Sequence, residues 1–312
     1  MIEEANSKTN HCWVIKIGSG LLTSNGEGLN TTMIDSWVEQ IVQLKSIGYR
    51  VVIVSSGAVA EGIKRLGWEK RPRTLHQLQT AAAVGQAGLI QAYEARFNKY
   101  KILTAQVLLV HEDLSCRDRY LNAKQTLSNL LSNNVIPIIN ENDTVATDEI
   151  RFGDNDTLAG LVTNLIDADL LLILTDQDGV FSDDPRKDID AKFIKNCNID
   201  DPILEKIAKG SAGSLGRGGM ITKIKAAKLA ARSGAETIIA NGLEENIISR
   251  ISKNECIGTK LTNTKKAISA KKQWLSNSLQ SHGYLTIDEG AQEVIKKGGK
   301  SLLPIGVISV KG

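Results

Sequence analysis

Short, continuously apolar runs recur along this chain, separated by longer stretches whose apolar residues fall three and four apart. Cys12–Ile17, Val51–Ser55, Ile102–Val110, Val135–Ile139, Leu170–Leu174 and Thr237–Ala240 make up the first set. Thr31–Ile47, Thr74–Phe97, Arg117–Leu131, Asn155–Ile166 and Met220–Arg232 make up the second. A strand with one wet face alternates apolar and polar residues, whereas a strand without alternation is covered on both faces. The helical spacing between the runs supplies the covering layers. The pattern predicts an α/β domain on a mostly parallel, open sheet. Such sheets bind ligands in loops at the carboxyl ends of their strands, so those loops carry the candidate chemistry.

Composition narrows the class. With 312 residues, 42% of them hydrophobic and 23% charged, the chain can bury a large core and is too apolar for general disorder. No apolar run nears the ~18 residues of a membrane span. Met1–Asn10 is polar and lacks the apolar segment of a secretory signal, so a cytoplasmic protein is expected. Cys12, Cys116, Cys197 and Cys256 have no paired spacing, which predicts reduced thiols and no protein-held metal ion.

Charge and texture change near the end. From Ser252 onward 10 lysines face 4 acidic residues, a net of +6 in a chain whose total is +3. A near-neutral body speaks against nucleic acid as its main ligand. The basic end has no arginine and only Trp274 and Tyr284 for stacking, a poor RNA surface. Residues 1–262 are expected to form the main domain and 263–278 a Lys-rich linker. Residues 279–312 are expected to form a partial, small β-rich unit, below the ~40 residues that usually fold unaided.

Six loops stand out. Lys16-Ile17-Gly18-Ser19-Gly20 ends the first strand with a point charge and bare amides, which suit phosphate. Ser56-Gly57 follows the second strand where a helix begins; it offers a hydroxyl and amides to an anion, or a plain N-cap. Asn140-Glu141-Asn142-Asp143 and Gly153-Asp154-Asn155-Asp156 offer carboxylates and amides that suit an amino group and a lysine. A capping role for Asp154 or Asp156 stays open, since a helix starts beside them. Thr175-Asp176 ends the Leu170–Leu174 run and suits a nucleotide's ribose or base. Gly213–Gly219 opens the helix from Met220, where Lys223 falls roughly 60° from the apolar centre, away from the Lys225, Lys228 and Arg232 stripe. A lysine drawn off the wet face behind a glycine loop suits a phosphate. A P-loop is missing, because Val294 stands where Gly299-Lys300-Ser301 would need its first glycine.

In their order, Lys16–Gly20, Ser55–Val59, Ala83–Gln86, Asn140–Asp143, Gly153–Asp156, Leu174–Gln177 and Gly218–Lys223 resemble the amino acid kinase family, and within it the members that phosphorylate free glutamate. Thr286–Ala291 through Ser301–Pro304 resembles the start of the PUA domain that many bacterial members carry, here expected to be truncated. The resemblance implies a three-layer αβα sandwich and transfer of the ATP γ-phosphoryl group to the side-chain carboxylate of L-glutamate, the first step of proline synthesis. It implies that Lys16 and Lys223 flank the transferring group and that Asp156 holds both. It implies glutamate binding by Ser56, Gly57, Asn140, Asp143, Asp154 and Asn155. It implies ATP binding by Lys16, Gly18, Thr175, Asp176, Arg217, Gly218, Gly219, Met220, Ile221, Thr222 and Lys223, with Mg2+ carried by the nucleotide. A homo-oligomer, dimer or tetramer, with feedback inhibition by proline follows from the same resemblance. Sibling kinases acting on N-acetylglutamate, aspartate or a phosphorylated nucleoside are the nearest alternatives, and an RNA-binding or regulatory protein is the alternative from another class.

Overall fold

A computed structural model describes residues 11–23, 28–145, 155–185, 188–210, 219–263, 284–297 and 302–311. The chain divides into two compact units, 1–277 and 278–312.

In the first unit the order is β1 (Cys12–Ile17), α1 (Ser19–Leu22), α2 (Thr31–Ser46), β2 (Arg50–Ser55), α3 (Ala58–Arg65), α4 (Leu75–Asn98), β3 (Thr104–Leu109), α5 (His111–Ser115), α6 (Arg117–Ser132) and β4 (Ile136–Glu141). There follow α7 (Asn155–Leu165), β5 (Leu170–Thr175), the small hairpin β6 (Val180–Phe181) and β7 (Phe193–Ile194), β8 (Asn196–Asn198), α8 (Pro202–Gly210), α9 (Met220–Ala230), β9 (Glu236–Asn241), α10 (Ile247–Ser252) and β10 (Thr259–Thr262). Eight described strands form one sheet in the order β3-β4-β2-β1-β5-β9-β10-β8, parallel except where β10 runs against β9.

The absence of alternation in the apolar runs has the expected cause. Successive residues of each central strand enter different cores. Val14, Val52, Val54, Ile139, Leu171 and Ile173 pack under α6, α7 and α9. Ile15, Ile17, Ile53, Ile138, Leu172 and Leu174 pack under α2, α4 and α10. The result is three layers, helix, sheet, helix. Each fully buried Leu or Ile contributes about 1.5–3 kcal/mol of transfer free energy.

Two expectations need correction. The Ile102–Val110 run is shorter as a strand, and β3 is only half-buried because it is the sheet's outer strand, with β4 as its one neighbour. The run expected to stop at Ile139 continues through Glu141, so Asn140 and Glu141 are strand residues.

Chain topology fixes where ligands go. From β1 the sheet grows first toward β2, β4 and β3, then on the other side through β5 and β9. The loops after β1 and β5 therefore leave a crevice at their carboxyl ends, the usual binding place of an open α/β sheet. Lys16, Ser55, Glu141 and Thr175 all lie at or next to that edge.

The second unit is a hairpin of β11 (Tyr284–Ile287) and β12 (Val307–Lys311) with α11 (Glu289–Lys296) between them. Asp288 caps that helix by accepting from the Ala291 amide at 2.7 Å.

Candidate active site

Two close helix contacts build the site. Gly160 of α7 lies where a Cβ would stand 2.6 Å from the Ala226 carbonyl oxygen, so α7 can press against α9 only with glycine there. That contact brings the first turn of α7 to the first turn of α9. At Gly85 of α4 a Cβ would stand 1.9 Å from the Ala58 carbonyl oxygen. That second contact sets α4 against the start of α3, beside Ser56 and Gly57. Gly57 is the N-cap of α3 with φ +105°, a left-handed conformation that favours glycine. Ser56 therefore precedes the cap and is free for other partners.

Asp156, Lys16 and Lys223 meet at the crevice. The Lys16 ammonium lies 2.5 Å from Oδ1 of Asp156, and the Lys223 ammonium 3.3 Å from Oδ2. The Thr222 hydroxyl adds a 2.6 Å hydrogen bond to Oδ2. The side chains of the lysines are 7% exposed and that of the aspartate 1%. Burial pushes the Asp156 carboxyl upward, but the Lys16 and Lys223 charges and the hydrogen bonds from Lys16 and Thr222 outweigh it, holding the pKa well below the usual carboxylate range. Burial lowers the Lys223 pKa; Asp156 opposes that, Lys16 adds to it, and Asp176 offers a smaller countercharge. Asp156 is thus an ionised tether for two cations, not a helix cap. One carboxylate under two ammonium groups leaves a net positive, nearly dry centre that suits an anion.

Groups from three loops adjoin it. Gly18, two residues after Lys16, donates its amide to the Leu174 carbonyl at 3.2 Å, tying the loop after β1 to β5. Thr175 donates to Asp176 at 3.1 Å at the end of β5. Gly219 caps α9 without a side-chain partner, with Met220, Ile221 and Thr222 in its first turn. Asp154, Arg217 and Gly218 lie outside the described residues.

A second cluster adjoins the first along α7. Asn155 Nδ2 donates to the Ser55 carbonyl at 3.1 Å, to Ser56 Oγ at 2.9 Å and to Asn140 Oδ1 at 2.8 Å. Asn140 Nδ2 in turn donates to Gln86 Oε1 at 2.8 Å. Gln86, Gln106, Glu141, Asn142, Asp143 and Thr144 line a cleft of about 320 Å³. Burial pushes Asp143 up to about 6, against the lowering effect of Arg71. Among the described residues no three His, Cys, Asp or Glu side chains come together as a metal site, and no helix is long and apolar enough to cross a membrane.

Residues 11–241 match the amino acid kinase family. The chain belongs to that family. Its glycine loops, lysines and Asp156 all fall within the matched span. The chain is 58% identical over 299 residues to a glutamate 5-kinase of Nitrosospira multiformis, covering 96% of this chain and 80% of the relative. It is 57% identical over 299 residues, with the same shares, to a glutamate 5-kinase of Cupriavidus pinatubonensis. Among solved structures, a carbamate kinase from Giardia lamblia bound to AMP-PNP superimposes with a TM-score of 0.56 at 17% identity, over 82% of this chain and 99% of that one. That likeness is one of fold: an amino acid kinase sandwich.

Sequence reasoning gave Gln86 no role, though it lies inside a stretch that carries the family resemblance. A signal was present. Leu78, Ala82, Leu89 and Tyr93 mark the buried face of α4, and Gln86 is four residues after Ala82 and three before Leu89. A polar side chain at an apolar-periodic position calls for a hydrogen-bond partner. The hold of Thr222 on Asp156 had no such signal, because it needs the contact between α7 and α9.

Proposed function

We propose that this chain transfers the γ-phosphoryl group of ATP to the side-chain carboxylate of L-glutamate, giving γ-glutamyl phosphate and ADP, the first step of proline synthesis. The observation that carries the reading is the pair of buried lysines gripped by one ionised aspartate at the β1/β5 crevice. High identity to glutamate 5-kinases supports the choice of acceptor.

The acceptor carboxylate, with a free pKa near about 4.3, is ionised at neutral pH and needs no general base. One of its oxygens forms a bond to the γ-phosphorus as the bond from that phosphorus to the bridging oxygen breaks, and the electron pair leaves with ADP. Both reactants are anions, so the barrier is lowered by holding them together and spreading the charge of the transferring group. Lys16 and Lys223 supply that charge, and Asp156 fixes their positions. Gly18, Thr175, Asp176 and the Arg217–Lys223 segment bind ATP. Ser56, Gly57, Asn140, Asp143, Asp154 and Asn155 bind glutamate, Asp143 by taking its ammonium group. Mg2+ would be carried by the nucleotide and would neutralise phosphate charge there, with Asp176 a further carboxylate near Lys223 besides Asp156. The same family reading carries a cytoplasmic homo-oligomer restrained by proline, and a PUA-like segment over 279–312.

The test is a trapping assay. With ATP, Mg2+, glutamate and hydroxylamine, γ-glutamyl hydroxamate should accumulate. No hydroxamate, or faster turnover of N-acetylglutamate than of glutamate, would overturn the reading.

A further inference from the structure

Gln86 is nine-tenths buried, yet its Nε2 has no hydrogen-bond partner among the described residues. An unpaired buried amide donor costs stability, and at the wall of a cleft a water, an ion or a ligand can complete it. The direction of the hydrogen bonds around it is fixed. A backbone carbonyl only accepts, so the Asn155 atom facing the Ser55 carbonyl is Nδ2. That nitrogen also meets Asn140, which must answer with Oδ1 and hence turns Nδ2 toward Gln86. Gln86 then accepts through Oε1, and its Nε2 is left as a pure donor. Three side-chain amides thus relay the polarity of one backbone carbonyl from the start of α7, next to Asp156, to the cleft that Gln86 lines with Asp143.

We propose that Gln86 is a specificity-determining residue whose Nε2 donates to the α-carboxylate of the amino-acid substrate. The proposal rests on the glutamate reading above. The ammonium and α-carboxylate of an amino acid share one carbon, so the groups that bind them must line the same cleft. Asp143 provides the acidic partner there and Gln86 the buried donor. The side-chain carboxylate, which receives the phosphoryl group, belongs at the lysines. A neutral donor whose acceptor end is already engaged by Asn140 selects a hydrogen-bond acceptor without adding charge beside Asp143 and Glu141.

The test inverts the donor and keeps the relay. Gln86→Glu retains an oxygen for Asn140 but offers the substrate a carboxylate. Glutamate is compared with L-isoglutamine, in which a carboxamide replaces the α-carboxylate and the side-chain carboxylate is intact; isoglutamine is scored by its Ki as a competitor. In Gln86→Glu the KM for glutamate should rise about 100-fold or more, the KM for ATP should stay within about two-fold, and the Ki of isoglutamine should change little, so that selectivity between the two falls by at least about 10-fold. Equal loss for both ligands would overturn the proposal and leave Gln86 a structural residue. Should Gln86→Glu fail to fold, Gln86→Met removes the donor without adding charge, and the same selectivity should drop about 10-fold; an unchanged ratio there is equally fatal. Absence of wild-type turnover on glutamate would instead sink the glutamate reading, and the assignment of Gln86 with it.

Discussion

Asp156→Asn removes one negative charge from between two buried positive ones and changes little else in shape. Asp156 is 1% exposed by its side chain, and the ammonium groups it serves, at 2.5 and 3.3 Å, are 7% exposed. Breaking a buried ion pair by deleting one partner costs about 3–5 kcal/mol, because the stranded charge has lost its water as well as its partner. An independent bound agrees. The variant can escape by releasing the proton of one lysine, which at pH 7.5 costs about 4 kcal/mol from a free pKa of about 10.4. Lys223, whose pKa burial already lowers, is the residue that gives way. The escape has a pH signature. If the folded variant holds one proton fewer than its unfolded chain, its stability rises by about 1.4 kcal/mol per pH unit until the free lysine itself titrates. The native protein, with a countercharge at 3.3 Å from Lys223, has the shallower slope. Urea unfolding of ligand-free protein at pH 7, 8 and 9 should therefore show a deficit of about 3–5 kcal/mol that shrinks by more than 1 kcal/mol per unit. A deficit below about 1 kcal/mol at pH 7 would refute the idea that the carboxylate is the countercharge of both lysines.

Three further outcomes are expected. Lys16→Ala and Lys223→Ala should each lower kcat in the hydroxamate assay by about 10²–10³-fold, with hydroxamate formation at the wild-type rate the contrary result. Asp143, with its pKa pushed up to about 6, loses its charge as pH falls through that value. The KM for glutamate should then climb about tenfold per pH unit below 6, and Asp143→Asn should flatten the profile. Because the folded state holds the extra proton between the free and folded pKa values, stability from this group declines as pH rises across that window. Gly85→Ala, whose Cβ would sit 1.9 Å from a backbone oxygen, should cost about 3 kcal/mol in urea unfolding, whereas Gly20→Ala, with nothing within 4 Å, should cost almost nothing.

Legibility followed the length and periodicity of each element. The Cys12–Ile17 run is β1 residue for residue, because a strand buried on both faces is written as an unbroken apolar string. Arg117–Leu131 is one residue short of α6, and the burial of Lys223 follows from its angle to Ile224 and Ala227. The chain beyond Val180 was harder. Asn196–Asn198 has no apolar signal and is a strand only because β10 pairs with it. Thr259–Thr262 is too short to show a period, yet it extends the main sheet past Gly258. In the site, residue types and loop order were visible, but partners were not. Nothing in the spacing of Gln86, Asn140 and Asn155 shows that they form one chain of hydrogen bonds; that follows from the close approaches at Gly85 and Gly160.

The central claim is that Lys16 and Lys223 act on one phosphoryl group as a single unit held by Asp156. A double-mutant cycle on kcat measures it directly. If they act together, the Lys16→Ala/Lys223→Ala protein should be far more active than the product of the two single losses allows, a coupling of at least about 1 kcal/mol. Losses that multiply would mean that the two lysines work independently, and would contradict the account.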